Sequence, residues 1–256
     1  MRLSVSEGLS VAIITRNEEK NLARALQSVR FADELIVVDS GSTDATLSIA
    51  REHGCRVFER DWPGYGAQKN FALDQASHEW VLCLDADEEV SPELARLVAA
   101  VVSGDKSGYE LYSFPRLTLF IDRWMRHGGW YPDRQIRLLR KGAARYNDHP
   151  VHAAIVPEGP VGRLSGDLLH YSFESVEDYV GRMNTYSRLA AEIQIKHGRR
   201  RPGASSLAGA VARKFLEVYV YKRGFLDGRH GFVVAGLAAW GVFLRTARVR
   251  WPEEER

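Results

Sequence analysis

The chain has 256 residues, of which 45% are hydrophobic and 27% are charged, and its formal net charge is +2. This composition is that of a globular protein and excludes the collagen-like, low-complexity and disordered classes. Its two cysteines, Cys55 and Cys83, lack CxxC spacing, which excludes a disulfide framework and a cysteine zinc site. The N-terminal segment MRLSVSEGLS lacks the basic region and long apolar run of a secretory signal, so we expect a cytosolic protein.

The first hundred residues alternate strand and helix patterns with short connections. Apolar runs over residues 9–15 and 35–39 predict buried strands, and the helix between them is expected to have Asn17 as its N-cap. The predicted fold class is α/β, with a mostly parallel central sheet, helices on both faces and a C-terminal helical appendage. The other predicted elements are a helix after Ser42, a strand over residues 55–58, a helix over 67–76, a strand over 80–84, a helix from Ser91, strand-like runs over 109–114 and 135–139, and helices over 176–197 and 205–222.

Two aspartates, Asp85 and Asp87, follow the strand pattern over residues 80–84. Because side chains alternate along a strand, carboxylates at i and i+2 would point the same way and could share a divalent cation. Oxygen ligands suit Mg²⁺ or Mn²⁺, which bind partly through substrate phosphates. The alternative is that these acids end the strand and lead into the first turn of a helix.

Polar residues also follow the first two predicted strands. Ligands of open α/β sheets bind at the carboxyl ends of the strands, so we expect these residues and the two aspartates to form one polar crevice. The residues expected to line it for substrate binding are Thr15, Arg16, Asn17, Glu18, Asp39, Ser40 and Gly41.

Three stretches resemble the family 2 glycosyltransferases, inverting enzymes of the GT-A fold that use nucleotide sugars: SVAIITRNEEKNLARALQSV, ELIVVDSGSTDAT and AQKNFALDQASHEWVLCLDADEEVSPEL. The later runs GGWYPDRQIRLLRK, HPVH and YKRGFLDGRHGF resemble the bacterial subgroup that adds sugars to the lipopolysaccharide inner core. The resemblance covers nearly the whole chain. It implies a nucleotide-sugar-binding and catalytic GT-A domain over residues 1–175, and a basic, partly amphipathic helical region over 176–256 on the acceptor and membrane side.

The resemblance also implies a UDP-sugar donor, a divalent cation (Mg²⁺ or Mn²⁺) and no organic cofactor. Asp39 would accept a hydrogen bond from uracil, and Lys69 would face the uracil or the diphosphate. Asp85 would lie near the ribose and the metal, and Asp87 would bind the metal that bridges the two phosphates. For Lys69 the alternative is a solvated helix lysine.

An inverting transfer requires a base for the acceptor hydroxyl, and we expect Asp133 to fill this role. Trp130 and Tyr131 before it can stack on a sugar, and Gln135 and Arg137 after it could hold phosphate or acceptor groups. Two alternatives stay open: Asp133 could belong to an ordinary turn, and one of the nearby arginines could pair with the acidic cluster.

The HPVH segment contains His149 and His152. Two histidines at this spacing do not make a zinc site without further ligands. We keep His152 as a candidate metal or phosphate ligand, and His170 in the same role. In the resembling family a glutamate usually follows the histidine here, whereas this chain has Ala153.

Residues 196–250 contain twelve Lys or Arg and two acids, a balance of +10. The uncharged 14-residue run GFVVAGLAAWGVFL within them is shorter than the ~20 residues of a transmembrane helix. Leu207, Val211, Phe215 and Val218 share a helical face, which is typical of a membrane-surface helix when basic residues flank it. We expect contact with an anionic membrane surface, the alternative being that these helices pack on the catalytic domain. The aromatic residues form no base-stacking platform, so no nucleic-acid partner is expected.

The expected function is metal-dependent transfer of a hexose from a UDP-sugar to a lipid-linked saccharide, in inner-core lipopolysaccharide assembly at the cytoplasmic face of the inner membrane. The first alternative is nucleotidyl transfer on the same fold, although the loop TRNEEKN lacks the glycines that hold a triphosphate. The second is a non-catalytic protein that binds a nucleotide sugar or a glycolipid.

Overall fold

The computed structural model describes residues 8–104, 108–148, 153–197 and 203–252, except for the side chains of residues 204–206. The described residues form strands and α-helices that alternate along the first hundred positions. The strands are β1 (Leu9–Thr15), β2 (Glu34–Asp39), β3 (Arg56–Glu59), β4 (Trp80–Asp85), β5 (Glu88–Val90), β6 (Leu111–Phe120), β7 (Arg123–Trp124), β8 (Asp133–Arg140), β9 (Val161–Arg163) and β10 (Leu168–Phe173). The α-helices are α1 (Leu22–Ser28), α2 (Thr46–Glu52), α3 (Tyr65–Asp74), α4 (Pro92–Val102), α5 (Val176–Lys196), α6 (Ala204–Leu216) and α7 (Gly228–Arg250), with a π-helical turn over Glu217–Tyr221 and a 3₁₀ turn over Gly224–Asp227.

The strands form one sheet in the order β3-β2-β1-β4-β8-β6-β10-β5. Neighbours among β3, β2, β1 and β4 are parallel, whereas β8 is antiparallel to β4 and β5 is antiparallel to β10. In register, Thr15 lies beside Asp39 and Ile14 lies beside Asp85. The carboxyl ends of β1, β2 and β4 therefore meet at one edge of the sheet.

Both faces of the parallel strands are covered, because successive side chains of a strand point to opposite faces. Leu9, Val11 and Ile13 of β1 are buried in one core with apolar residues of α1, α2 and α4. Ala12 between them is buried in a second core with apolar residues of α3. Burial of each large apolar side chain contributes about 1.5–3 kcal/mol. The predicted α/β class, with helices on both faces, is confirmed.

The start of α1 differs from the prediction. The helix begins at Leu22, its N-cap position is Asn21, and no acidic residue lies in its first turn. Asn17 has a φ of 55°, in the left-handed region. The predicted N-cap at Asn17 is therefore wrong. Asn17 lies in the loop after β1, and its side chain accepts a hydrogen bond from the loop after β2 instead of capping the helix.

Two compact units divide the chain. The first comprises Met1–Arg116 and Arg134–His170, and the second comprises Leu117–Asp133 and Tyr171–Arg256. The core of the second unit contains Phe120, Met125 and Val234, with aromatic residues packed against them. Leu117–Asp133 thus belongs to the same compact unit as the C-terminal helices. The predicted boundary between a catalytic domain and a helical region after residue 175 stays a prediction.

The C-terminal apolar run belongs to a helix longer than the run itself. Gly224–Arg250 spans 27 residues and, in the part of the chain that the structure describes, is the one helix long and apolar enough to cross a membrane. Of its most apolar window, 22% is buried. The 14-residue run is thus part of a longer helix, α7, which continues through Arg250, and the expectation of an interfacial or core helix stays a prediction. Core helices of water-soluble proteins reach the same length and composition.

Candidate active site

The acidic turn, residues 85–87, begins where β4 ends at Asp85. Asp87 lies beyond the strand in a turn, so strand alternation does not set the direction of its side chain. Asp85 lies between two cations: Oδ1 is 2.5 Å from Lys69 Nζ and Oδ2 is 2.5 Å from Arg137 Nη2. Burial alone would raise the pKa of Asp85, but the charges of Arg137 and Lys69 outweigh burial and hold this pKa well below its ordinary value.

Arg137 confirms the alternative in which an arginine pairs with the acidic cluster. The residue is 4% exposed, and its guanidinium contacts both Asp85 and Glu88. Both contacts are to protein carboxylates, and the expected contact of Arg137 with a substrate group stays a prediction. Lys69 is also engaged by Asp85 and lies 5.2 Å from the ring centre of Tyr146. Its alternative as a solvated helix lysine is therefore wrong.

Glu88, the first residue of β5, is fully buried in the same network. Its Oε1 lies 2.8 Å from Arg137 Nη2 and 3.5 Å from Arg116 Nη1, and its Oε2 accepts the backbone N–H of Asp85 at 2.9 Å. A buried carboxylate is costly unless it is paired and hydrogen-bonded, and Glu88 is both. The residue fixes the backbone at the start of the acidic turn. Sequence reasoning missed this role because Arg116 and Arg137, which compensate the charge of Glu88, lie far along the chain.

Asp87 contacts His170 of β10, with 3.2 Å between Oδ2 and Nε2. The pairing of β5 with β10 places His170 opposite Glu88, next to the acidic turn. No group of three or more His, Cys, Asp or Glu side chains that could hold a metal occurs among the described residues. Asp87 offers a carboxylate of the kind that Mg²⁺ or Mn²⁺ binds together with phosphate oxygens and water, and His170 is the side chain beside it. The other histidine candidate, His152, lies outside the described residues.

Asp39 builds the loop after β2. The residue is fully buried; its Oδ1 accepts the backbone N–H groups of Gly41 and Ser42 at 2.9 and 2.8 Å, and its Oδ2 accepts Thr15 Oγ1 at 3.0 Å and Ser42 Oγ. These four bonds match the number of lone-pair sites on a carboxylate. A contact between Asp39 and uracil therefore requires one of these donors to leave. Gly41 has a φ of 80°, which L side chains rarely adopt.

The loops after β1 and β2 are joined by hydrogen bonds. Asn17 donates its backbone N–H to Ser42 Oγ at 2.8 Å, and its Oδ1 accepts the N–H of Thr43 at 2.8 Å. Glu18 donates its N–H to Thr46 Oγ1 at 2.8 Å. These bonds bring the predicted loop residues together at one edge, with Arg16 exposed beside them.

Gln68 of α3 is a further site residue that sequence reasoning missed. Its side chain is fully buried and donates from Nε2 to Ser40 Oγ at 2.9 Å. Lys69 follows it on the same helix, so this bond fixes the helix start against the β2 loop. The charge of Lys69 indicates a possible phosphate contact from the sequence alone. An uncharged glutamine within a helix gives no such indication.

The predicted acceptor residues fall in both units. Gln135 is half-buried in β8 in the first unit. Asp133, Trp130 and Tyr131 belong to the second unit, where Asp133 is half-buried at the first position of β8. The ring of Trp130 stacks on that of Tyr179 at 6.1 Å, with an interplanar angle of 17°. This packing uses one face of the indole, and the predicted sugar contact of Trp130 stays a prediction.

Comparison with known proteins gives consistent matches. Residues 10–155 match the family described as Glycosyl transferase family 2. The lipopolysaccharide core biosynthesis glycosyltransferase LpsC of Rhizobium meliloti is 32% identical over 255 residues, which cover 94% of this chain and 91% of that protein. An uncharacterized glycosyltransferase of Rickettsia typhi is 34% identical over 253 residues, which cover 94% of this chain and 86% of that protein. A crystal structure of S. aureus TarS 1–349 in complex with UDP-GlcNAc has a TM-score of 0.49 and 17% identity, over 95% of this chain and 90% of that one.

The family match covers more than half of the chain, and two relatives above 30% identity extend over nearly all of it. These matches favour glycosyl transfer over both alternatives kept open from the sequence. The chain is a glycosyltransferase and belongs to glycosyl transferase family 2.

Proposed function

We propose that this glycosyltransferase moves a hexose from a UDP-sugar to a lipid-linked saccharide, with inversion at the anomeric carbon, in assembly of the lipopolysaccharide inner core. The observation that carries the proposal is the acidic turn at the carboxyl edge of the sheet, beside the two joined loops and Lys69. The lipopolysaccharide core function in the name of the R. meliloti relative supports the acceptor class.

The donor would lie along the carboxyl edge of the parallel strands. Asp39 and Asp85 end β2 and β4, which flank β1, so they stand two strand spacings apart, about 10 Å. A nucleoside held by the loops after β1 and β2 would bring its diphosphate to the acidic turn. Lys69 would then exchange Asp85 for a phosphate oxygen. In this arrangement Thr15, Ser40 and Gln68 support the nucleoside pocket from below.

Asp87 and His170 would hold the divalent cation, which as a Lewis acid eases departure of the diphosphate. Asp133 would accept the proton of the acceptor hydroxyl while that oxygen bonds to the anomeric carbon. The bond from this carbon to the diphosphate oxygen breaks, and its electron pair leaves with UDP. Arg137 and Glu88 would keep the acidic turn in place throughout.

We also propose that the enzyme works at the cytoplasmic face of the inner membrane through its C-terminal helices. Leu216, Val220 and Tyr221 are 56%, 53% and 84% exposed, although all three are apolar or aromatic. Arg213 and Arg229 are exposed in the same region, and each basic residue near an anionic surface contributes about 1 kcal/mol. Flotation should therefore recover more enzyme with anionic than with zwitterionic vesicles, and equal recovery would contradict this proposal.

The proposed reaction is tested by measuring UDP release with a core-type saccharide acceptor and Mn²⁺ or Mg²⁺. Asp87→Ala should remove a cation ligand, and Asp133→Asn should remove the base; each should lower kcat by about 100-fold or more. Asp74→Asn is the matched control, because Asp74, the last residue of α3, forms an exposed ion pair with Arg145. Turnover within a factor of two of wild type for both site variants would show that the assigned roles are wrong.

A further inference from the structure

The segment YKRGFLDGRHGF, residues 221–232, has no part in the donor site described above. Within the second unit it lies against the glycine–aromatic loop, residues 127–133. Gly128 donates its backbone N–H to the Lys222 carbonyl at 2.8 Å. Gly129 lies against the Lys222 side chain and has a φ of 86°, a backbone conformation that favours glycine. The segment therefore holds the loop that ends at the proposed base, Asp133.

Asp227 is the strongest contact between this segment and the loop. The residue is 2% exposed, and its Oδ2 accepts the backbone N–H of His127 at 2.8 Å. Its Oδ1 lies 3.1 Å from His127 Nδ1 and 3.9 Å from Arg123 Nε. A buried carboxylate with two bonds to one residue fixes both the backbone and the side chain of that residue.

Asp227 does not make the hydrogen bond that is usual for an aspartate at its position. It occupies the N-cap of α7, where an aspartate ordinarily accepts a hydrogen bond from the first turn of the helix. Its side chain makes no such capping bond. The carboxylate is turned to His127 instead, so stabilising the helix does not account for the residue.

The contact with Asp227 orients the ring of His127. A carboxylate accepts hydrogen bonds, so Nδ1 of His127 carries a proton, and Nε2 is the ring nitrogen that Asp227 leaves uncontacted. The His127 side chain is 34% exposed. No hydrogen-bond partner for Nε2 lies in the described part of the chain. Nε2 is thus available for a hydrogen bond with a molecule outside the protein.

We propose that His127 binds the saccharide acceptor through Nε2 and that Asp227 is its positioning residue. The ligand chemistry is a saccharide hydroxyl, because a hydroxyl can both donate to and accept from an imidazole nitrogen. This inference rests on the proposed function for the identity of the acceptor. It assigns a role to the YKRGFLDGRHGF segment, whose Asp227 and Lys222 hold His127 and the two glycines that precede the aromatic residues.

The first test is NMR of the enzyme labelled with ¹⁵N-histidine. The wild-type spectrum should show His127 protonated at Nδ1, and Asp227→Asn should weaken this preference for Nδ1, because an asparagine has one acceptor oxygen for two donors. Titration with a core oligosaccharide free of lipid should then shift the Nε2 resonance of His127. A wild-type ring without a proton on Nδ1, or no shift at saturating oligosaccharide, would overturn the proposal.

The second test is kinetic and uses His127→Asn, which keeps a donor for Asp227 in place of Nδ1 but removes Nε2. KM for the acceptor should rise about fivefold to tenfold, the value of one hydrogen bond, while KM for the UDP-sugar stays unchanged. Asp122→Asn is the matched control, because it breaks the exposed Asp122–His230 pair of the same unit. A variant with both KM values within twofold of wild type would contradict acceptor binding.

If UDP release fails with every acceptor although the NMR shift occurs, the proposed reaction is wrong and the inference that His127 binds a saccharide stands.

Discussion

The charged residues at the start and end of the acidic turn form a network in which the carboxylates of Asp85 and Glu88 each contact two cations. Asp85 contacts Lys69 and Arg137, and Glu88 contacts Arg137 and Arg116. Removing one partner from a buried pair leaves an uncompensated charge, which is more costly than never having buried the pair. Glu88 has no exposure to water that could compensate such a loss.

The network predicts that Glu88→Gln is strongly destabilising. Glutamine keeps an acceptor for the Asp85 N–H but removes the charge opposite Arg137, so the free energy of unfolding should fall by about 3 kcal/mol. Urea denaturation of the purified enzyme measures this change. The control is Glu79→Gln, whose pair with Arg140 is 45% exposed on the glutamate side and is expected to contribute about 0–1 kcal/mol. Equal losses in the two variants would contradict the network.

The sequence indicated Asp39, Asp85 and Asp87, because each follows an apolar strand pattern at the edge where ligands bind. It kept open that an arginine near Asp133 pairs with the acidic cluster, but it could not identify Arg137 as the counter-ion of Asp85. The two residues are 52 positions apart, and only the pairing of β4 with β8 brings them together. The fully buried Gln68 was missed for the same reason.

At the scale of elements, Glu34 joins three neighbouring strands at the amino end of the sheet. As the first residue of β2, it accepts Ser10 Oγ of β1 at 2.5 Å, both the N–H and the Oγ of Ser77 at 2.8 Å, and the guanidinium of Arg56 on β3. Burial alone would raise the pKa of Glu34, but the hydrogen bonds from Ser10, Ser77 and Arg56 outweigh burial and lower it from 4.5 to about 2.

This shift predicts an acid-sensitive contribution to stability. The folded pKa is below the unfolded value, so the contribution is complete above pH 4.5 and is lost as the pH falls from about 4.5 toward 2. At pH 7 it amounts to about 3 kcal/mol. Glu34→Gln should therefore destabilise the enzyme at pH 7, and the difference from wild type should shrink toward pH 3 in chemical denaturation. A difference that is independent of pH would refute the prediction.

Helices and strands with a clear apolar period were predictable to within a few residues. The predicted strand over residues 9–15 coincides with β1, and the predicted helix over 176–197 is α5. The start of α1 was not predictable. Asparagine is a preferred N-cap residue, but Asn17 bonds to Ser42 and Thr43 of the loop after β2. Tertiary structure decides which of these partners the side chain takes.

At the scale of the whole molecule, the predicted α/β architecture with C-terminal helices is confirmed. Four parallel neighbours, β3-β2-β1-β4, carry helices on both faces, further strands extend the sheet, and helices follow at the C-terminus. The sequence predicted this architecture because the alternation of elements fixes the class. It did not predict that Leu117–Asp133 groups with the C-terminal helices, since no composition change marks that segment.

Calorimetric titration of the enzyme with UDP, in Mn²⁺ and again in EDTA, tests the central claim most directly. If Asp87 and the acidic turn hold a nucleoside diphosphate through a cation, wild-type enzyme should bind UDP with Mn²⁺, binding should weaken at least 10-fold in EDTA, and Asp87→Ala should bind weakly in both. Equal UDP affinity in Mn²⁺ and EDTA, or wild-type affinity of Asp87→Ala in Mn²⁺, would contradict the claim.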